Sequence, residues 1–154
     1  MTVTLVEVVG DREPYLGLLL EADDNEEVVR AYMDEGLLFE IRDDDRSVGQ
    51  VLVVREDDAV EIKSIALYPS ERGRGIGPKA IAEVVRRARG ERAAKVIVGT
   101  ADVAGDTIAF YRRCGFRDAG VREGFFDAYP EPVIVDGVQA HDMVMLEMGL
   151  ADPW

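Results

Sequence analysis

The sequence predicts an α/β protein built on a mixed sheet, and three patterns support this. Two strand-like runs joined by a short polar turn predict an antiparallel hairpin early in the chain. A strand-like run, a glycine-rich turn, an amphipathic helix and another strand-like run follow, which predicts a right-handed parallel crossover. The 154 residues, 47% of them hydrophobic, are enough for one core, so we expect a single domain over residues 1–154.

Composition and charge argue against several classes of protein. The formal net charge is -13, whereas general nucleic-acid binding needs a basic surface, so we expect no nucleic-acid partner. Cys114 is the only cysteine, which excludes an intrachain disulfide and a cysteine-based zinc site. No run approaches about 20 apolar residues, and the first residues lack the pattern of a signal peptide. We therefore expect a cytoplasmic protein with no membrane partner.

The first quarter of the chain predicts a strand and two helices. Residues 2–9 alternate loosely and are rich in valine, which is typical of a strand. Residues 13–22 place Tyr and Leu at helical spacing. A second helix is expected to begin at an N-cap formed by Asp24 or Asn25 and to stop at Gly36.

The next three strand-like runs contain an irregularity. Residues 37–41 and 48–54 form the predicted hairpin, and residues 59–68 form the next strand. The apolar residues of that third run lie first at even and then at odd positions: Val60, Ile62, Ile65 and Leu67. A β-bulge around Lys63 and Ser64 would produce this change of parity, and a strand buried on both faces is the alternative.

The second half of the chain begins with a long helix that buries one apolar face and stops at Gly90. The remaining elements are a strand, a helix that ends before Gly115, a strand, a hairpin insert rich in turn formers and a final strand, over residues 95–100, 105–114, 116–121, 122–139 and 141–148.

The glycine-rich turn over residues 71–78 is a candidate anion site. Its three glycines let backbone amides approach a ligand closely, and the N-terminus of the following helix favours a negative charge. Arg72, Arg74 and Lys79 add full positive charges. On an acidic protein, this cluster predicts a defined phosphate ligand.

Two common phosphate motifs do not fit this turn. A Walker loop requires Ser or Thr after its lysine, but Lys79 is followed by alanine. The dinucleotide fingerprint is matched in letters by Gly75, Gly77 and Ala80, yet that motif directly follows a strand, and here residues 69–74 intervene. A third pattern fits better.

Arg72, Gly75 and Gly77 match the pattern Arg, two residues, Gly, one residue, Gly or Ala. With a strand before it and a long helix after it, this segment resembles the acetyl-CoA pyrophosphate loop of the GNAT acetyltransferase superfamily. A second stretch, Ala-Phe-Tyr-Arg-Arg-Cys-Gly-Phe at residues 109–116, independently resembles the late helix of that superfamily. The order of the predicted elements agrees as well.

This resemblance implies the GNAT fold, a mixed and mostly antiparallel central sheet with one parallel crossover. Its order is one strand, two helices, three strands, a helix, a strand, a helix and two strands. The implied reaction moves an acetyl group from acetyl-CoA directly to a primary amine of a small molecule or peptide, with no metal and no covalent enzyme intermediate. A catalytically idle acyl-CoA-binding regulatory module and a nucleotide-binding protein stay as alternatives, and homodimerisation through the late strands is left open.

The resemblance also assigns residues. Tyr111 would protonate the leaving thiolate, Glu61 is the first candidate for the base, and the backbone amide of Leu67 would face the thioester oxygen. Cys114 is expected to pack rather than to act as a nucleophile. The expected cofactor-binding residues are Ile65, Ala66, Leu67, Arg72, Gly73, Arg74, Gly75, Ile76 and Gly77.

One position departs from the superfamily pattern. Many members carry a cofactor-binding asparagine seven residues before the tyrosine, and here that position is Ala104. The polar residues that could replace it are Thr100, Asp102 and Asp106. Four residues of the late insert are expected to border the acceptor cleft without an assigned role: Asp127, Tyr129, His141 and Asp142.

Overall fold

The computed structural model describes residues 1–150, so residues 151–154 of the predicted domain lie outside it. The strands are β1 (Val3–Glu7), β2 (Leu37–Asp43), β3 (Arg46–Glu56), β4 (Ala59–Leu67), β5 (Lys95–Ala101), β6 (Arg117–Arg122), β7 (Ile134–Val135), β8 (Val138–Gln139) and β9 (Met143–Gly149). The α-helices are α1 (Leu16–Ala22), α2 (Glu26–Tyr32), α3 (Ile76–Gly90) and α4 (Gly105–Arg113).

Seven strands form one sheet in the order β1-β2-β3-β4-β5-β9-β6. Only β4 and β5 pair in parallel, and every other neighbouring pair in this sheet is antiparallel. The predicted mixed, mostly antiparallel sheet with one parallel crossover is therefore confirmed. The last long strand, β9, lies between β5 and β6, and the predicted insert contains the small β7-β8 hairpin.

The sheet has a core on each face. The larger core packs α3 and α4 against one face, with Phe39 and Val51 fully or almost fully buried. The smaller core packs α1 and α2 against the other face, around Leu38 and Leu52. Because alternate residues of β2 and β3 point to opposite cores, both faces of these strands are apolar.

The predicted β-bulge in β4 is confirmed. Leu52 pairs with Ser64, and the next residue, Val53, pairs with Ile62, so Lys63 is an extra residue in β4. The bulge changes which side chains face each core, as the parity of the apolar residues indicated.

Among the boundaries that differ from the predicted ones, two have a clear structural reason. Helix α2 ends at Tyr32, before Gly36, and a Cβ at Gly36 would lie 2.1 Å from the carbonyl oxygen of Val53. This glycine therefore permits close approach to β3 and does not end the helix. The first hairpin is also tighter than predicted, because Asp43 and Arg46 still pair across the two strands.

The start of α2 selects between the two predicted caps. The side chain of Asn25 accepts a hydrogen bond from the backbone amide of Val28 at 3.1 Å, so Asn25 is the N-cap. Within residues 1–150, no helix is long and apolar enough to cross a membrane.

Candidate active site

The glycine turn before α3 leaves its backbone open. Gly73 and Gly75 have left-handed φ angles of 76° and 80°, and no atom lies within 4 Å of a Cβ built on either residue. Backbone conformation, not crowding, therefore requires glycine at both positions. At Gly77 the reason differs, because a Cβ there would lie 3.3 Å from the ring of Phe110 on α4. The exposed amides at the start of α3 fit the predicted anion site.

The arginines around this turn differ in their partners. Arg74 donates to Glu71 at 2.6 Å and lies 3.4 Å from Asp43. Glu71 is buried and also accepts a hydrogen bond from Arg46, which is the main cause that lowers the pKa of Glu71. This four-residue network ties the turn to the β2-β3 hairpin, so the guanidinium of Arg74 holds the turn in place.

Arg72 has a more exposed arrangement. Its guanidinium lies 3.0 Å from the carboxylate of Glu21 at the end of α1, and 3.4 Å from the backbone oxygen of Leu67. Because the ion pair with Glu21 is solvent-exposed, it is weak enough for a phosphate to replace it.

A cleft opens where β4 and β5 separate. Their parallel pairing ends at Ile62 and Val98, although β4 continues to Leu67 and β5 to Ala101. The predicted cofactor-binding segment of β4, residues 65–67, lies beyond this point. Its edge facing β5 is therefore not paired with β5, which leaves backbone groups available to a ligand.

A cavity of about 500 Å³ occupies this cleft, and it brings the two predicted catalytic residues together. Glu61 and Tyr111 both line it, as does the predicted cofactor residue Ile65. Thr100 and Ala104 line the same cavity, so the position that departs from the superfamily pattern shares this cavity with a threonine.

Glu61 is a buried carboxyl group at the base of the cleft. It is 6% exposed, and its Oε2 atom lies 3.6 Å from the guanidinium of Arg122. Burial raises the pKa of Glu61 above its ordinary value, and the positive charges of Arg122 and Lys63 oppose this increase. A carboxylate with a raised pKa in a cavity is suited to accepting a proton.

Tyr111 is held by aromatic packing. Its ring packs edge-on against Phe110, with centroids 5.3 Å apart, and against Phe116 at 5.7 Å. Burial raises the pKa of its phenol, so the hydroxyl stays protonated at neutral pH and can donate a hydrogen. The neighbouring thiol of Cys114 also has a raised pKa because of burial, which is the opposite of an activated nucleophile.

The late insert closes the other side of the cavity. The hydroxyl of Tyr129 donates to the carboxylate of Asp23 at 2.8 Å, and the hydroxyl of Tyr32 donates to the same oxygen at 3.2 Å. These contacts join the insert to the connection between α1 and α2. The ammonium of Lys63 lies 5.4 Å from the centre of the Tyr32 ring.

The other predicted insert residues mainly hold the insert itself. His141 lies 2.6 Å from Asp127, and this hydrogen bond raises the pKa of the imidazole. Asp142 accepts a hydrogen bond from the backbone amide of Gly124 at 2.8 Å. Asp102, one of the residues considered as a replacement for the missing asparagine, accepts from the backbone amide of His141 at 3.3 Å.

Several residues of the site were not found from the sequence. Arg122 and Asp23 contact predicted site residues that lie far away in the chain, whereas Glu71 contacts Arg74 only three positions on. Tyr129 and Asp23, for example, are 106 positions apart. Within residues 1–150, no group of three or more His, Cys, Asp or Glu residues could hold a metal ion.

The comparisons with known proteins agree with this geometry. The family model described as "Acetyltransferase (GNAT) family" matches residues 8–116. An N-acetyltransferase of Bacillus subtilis strain 168, named YvbK and described as uncharacterized, is 30% identical over 135 residues, which cover 86% of this chain and 87% of the relative.

Solved structures support the same assignment. A GNAT family acetyltransferase from Elizabethkingia anophelis with acetyl-CoA bound has a TM-score of 0.87 at 30% identity, covering 96% of this chain and 98% of that one. A Bacillus subtilis acetyltransferase in complex with CoA has a TM-score of 0.86 at 25% identity, and the match covers 97% of this chain and 100% of that one. The chain belongs to the GNAT acetyltransferase family. It is therefore an acyltransferase.

Proposed function

We propose that this enzyme transfers the acetyl group of acetyl-CoA directly to a primary amine of a small molecule or peptide. The supporting observation is that Glu61 and Tyr111 line one cavity where β4 and β5 separate. Under this proposal, Glu61 is the proton acceptor and Tyr111 the proton donor in this cleft. Direct transfer requires both groups at the site of reaction.

In the proposed reaction, the neutral amine attacks the thioester carbon, a C–N bond forms and the C–S bond breaks. Glu61 accepts the proton that the nitrogen loses. Tyr111 donates its phenolic hydrogen to the leaving sulfur. The backbone amide of Leu67, on the unpaired edge of β4, stabilises the negative charge that develops on the thioester oxygen.

The turn before α3 would hold the pyrophosphate of the co-substrate. Its open amides at residues 73–77 and the N-terminus of the 15-residue helix α3 favour an anion. Arg72 would exchange the carboxylate of Glu21 for a phosphate oxygen. Arg74 would keep the turn in shape through Glu71 and would contribute less direct contact than the sequence predicts.

A panel of amines tests this proposal by free thiol release from acetyl-CoA. We expect release with at least one small or peptide amine, and a fall in kcat on the order of 10²-fold in Glu61→Gln. Glu7→Gln, an exposed glutamate on the edge strand β1, is the matched control and should retain the wild-type rate. Binding of acetyl-CoA without thiol release for any amine would favour the idle-module alternative.

Homodimerisation and cytoplasmic location stay predictions.

A further inference from the structure

The bulge in β4 places Ser64 on the same face of the sheet as Glu61. Residues three apart in a regular strand point to opposite faces. Here, however, Glu61 pairs with Val54 and Ser64 pairs with Leu52, and these two β3 residues are two apart. The two side chains are therefore neighbours along one face, with backbones about 7 Å apart. Both line the cavity, and Lys63 is the extra residue between them.

A buried glutamine holds the hydroxyl of Ser64. Gln50 on β3 is 0% exposed, and its Nε2 atom donates to the Ser64 Oγ atom at 2.9 Å. Among the described residues, its Oε1 atom has no hydrogen-bond partner. A buried amide with an unsatisfied oxygen destabilises the fold, so packing alone is a poor reason for its presence.

The direction of this hydrogen bond matters for the cavity. The amide hydrogen of Gln50 occupies one lone pair of the Ser64 oxygen, so the hydrogen of the hydroxyl is free to be donated elsewhere. Ser64 is only 5% exposed, and the space it lines is the cavity. The geometry thus presents a hydroxyl donor to the same cavity as the carboxyl group of Glu61.

We propose that Ser64 contacts a water molecule that relays the proton of the acceptor nitrogen to Glu61, and that Gln50 is a positioning residue acting through Ser64. This inference rests on the function proposed above. The water accepts the proton of the nitrogen and gives one of its own protons to the Glu61 carboxylate. Ser64 donates a hydrogen bond to the water oxygen and is unchanged at the end.

Steady-state kinetics of Ser64 variants test the inference, with the amine that gives the fastest thiol release. We expect Ser64→Ala to lower kcat by about 10- to 100-fold. Its KM for acetyl-CoA should stay within about twofold of the wild type, because Ser64 is not among the residues assigned to cofactor binding. Ser64→Thr keeps the hydroxyl and should restore most of the rate. Ser47→Ala, an exposed serine on β3, is the control and should be unaffected.

The role of Gln50 is tested by a double-variant cycle. Gln50→Met removes the amide with little change in length and should lower kcat less than Ser64→Ala does. If Gln50 acts through Ser64, the double variant is no slower than Ser64→Ala. The ascending limb of the pH profile should also move to higher pH in Ser64→Ala, a change that a purely structural role would not produce.

Three experimental outcomes would contradict, in turn, the role of Ser64, the role of Gln50 and the proposed function. An unchanged kcat in Ser64→Ala, with a normal or lowered melting temperature, would overturn the inference while leaving the proposed function intact. Multiplying effects in the double variant would show that Gln50 does not act through Ser64. Absence of turnover by the wild type with every amine would overturn the proposed function, and the inference with it.

Discussion

Glu61 is subject to two opposing effects. Burial, and to a smaller extent the carboxyl group of Glu56, favour its neutral form, whereas the charges of Arg122 and Lys63 favour the carboxylate. The first effect dominates, so the pKa of this group lies above its ordinary value. Removing the positive charge should then raise this pKa further.

Arg122→Gln tests this balance through the pH dependence of kcat/KM. The base must be deprotonated to act, so the rate increases as pH rises through the pKa of Glu61. Because the variant raises that pKa, its ascending limb should lie at higher pH than in the wild type. Arg117→Gln on the same strand, with an exposed side chain, is the matched control. A limb that stays in place or moves to lower pH would contradict the assignment.

Tyr111→Phe tests the proton donor. The variant keeps the aromatic packing against Phe110 and Phe116 and removes only the hydroxyl. We expect kcat to fall by about 10- to 100-fold while the Kd for CoA, measured by calorimetry, stays unchanged. Tyr15→Phe is the control, since its hydroxyl donates to Glu40 instead. An unchanged rate would remove Tyr111 from the mechanism.

At the scale of elements, the turn and α3 act as one unit. Gly75 is the N-cap of α3 and has a φ of 80°. An alanine there has space for its Cβ but must adopt the left-handed conformation, at a cost of about 1–2 kcal/mol. The loss of stability therefore comes from the left-handed backbone conformation that the turn requires at residue 75.

Gly75→Ala should accordingly lower the melting temperature by roughly 2–8 °C and weaken CoA binding. Gly17→Ala is the matched control, because Gly17 lies in α1 at a regular φ with no atom near its Cβ. That substitution should leave stability unchanged or raise it, since alanine favours helix. Equal melting temperatures for Gly75→Ala and Gly17→Ala would show that an alanine side chain at residue 75 does not strain the turn.

Sequence patterns predicted the features that depend on residues close together in the chain. The bulge at Lys63 was visible because apolar residues change parity within one strand, and the glycine turn was visible from its spacing. The position of β9 between β5 and β6 was not predicted, because strand order depends on long-range pairing. Contacts such as Glu61 with Arg122 likewise join distant segments, and no local spacing reveals them.

At the scale of the whole molecule, charge restricts how an anionic co-substrate can bind. The net charge of -13 repels anions at long range, so affinity for CoA must come from local groups. The open amides of the turn, the start of α3 and Arg72 are such groups. A ligand whose phosphates contact all of these groups should therefore bind more tightly than other phosphate compounds.

Thermal unfolding measures this preference directly. At 100 times its Kd, a ligand that binds only the folded state adds about 2.7 kcal/mol of stability, or roughly 5–10 °C for a chain of this size. We expect acetyl-CoA to produce such a shift, and ATP and NAD to produce smaller ones at equal concentration. Arg72→Gln should reduce the shift with acetyl-CoA, whereas Arg86→Gln on the exposed side of α3 should not. A larger shift with ATP or NAD would mean that the turn binds a nucleotide in another way, and the assignment of residues 72–77 to the pyrophosphate would fail.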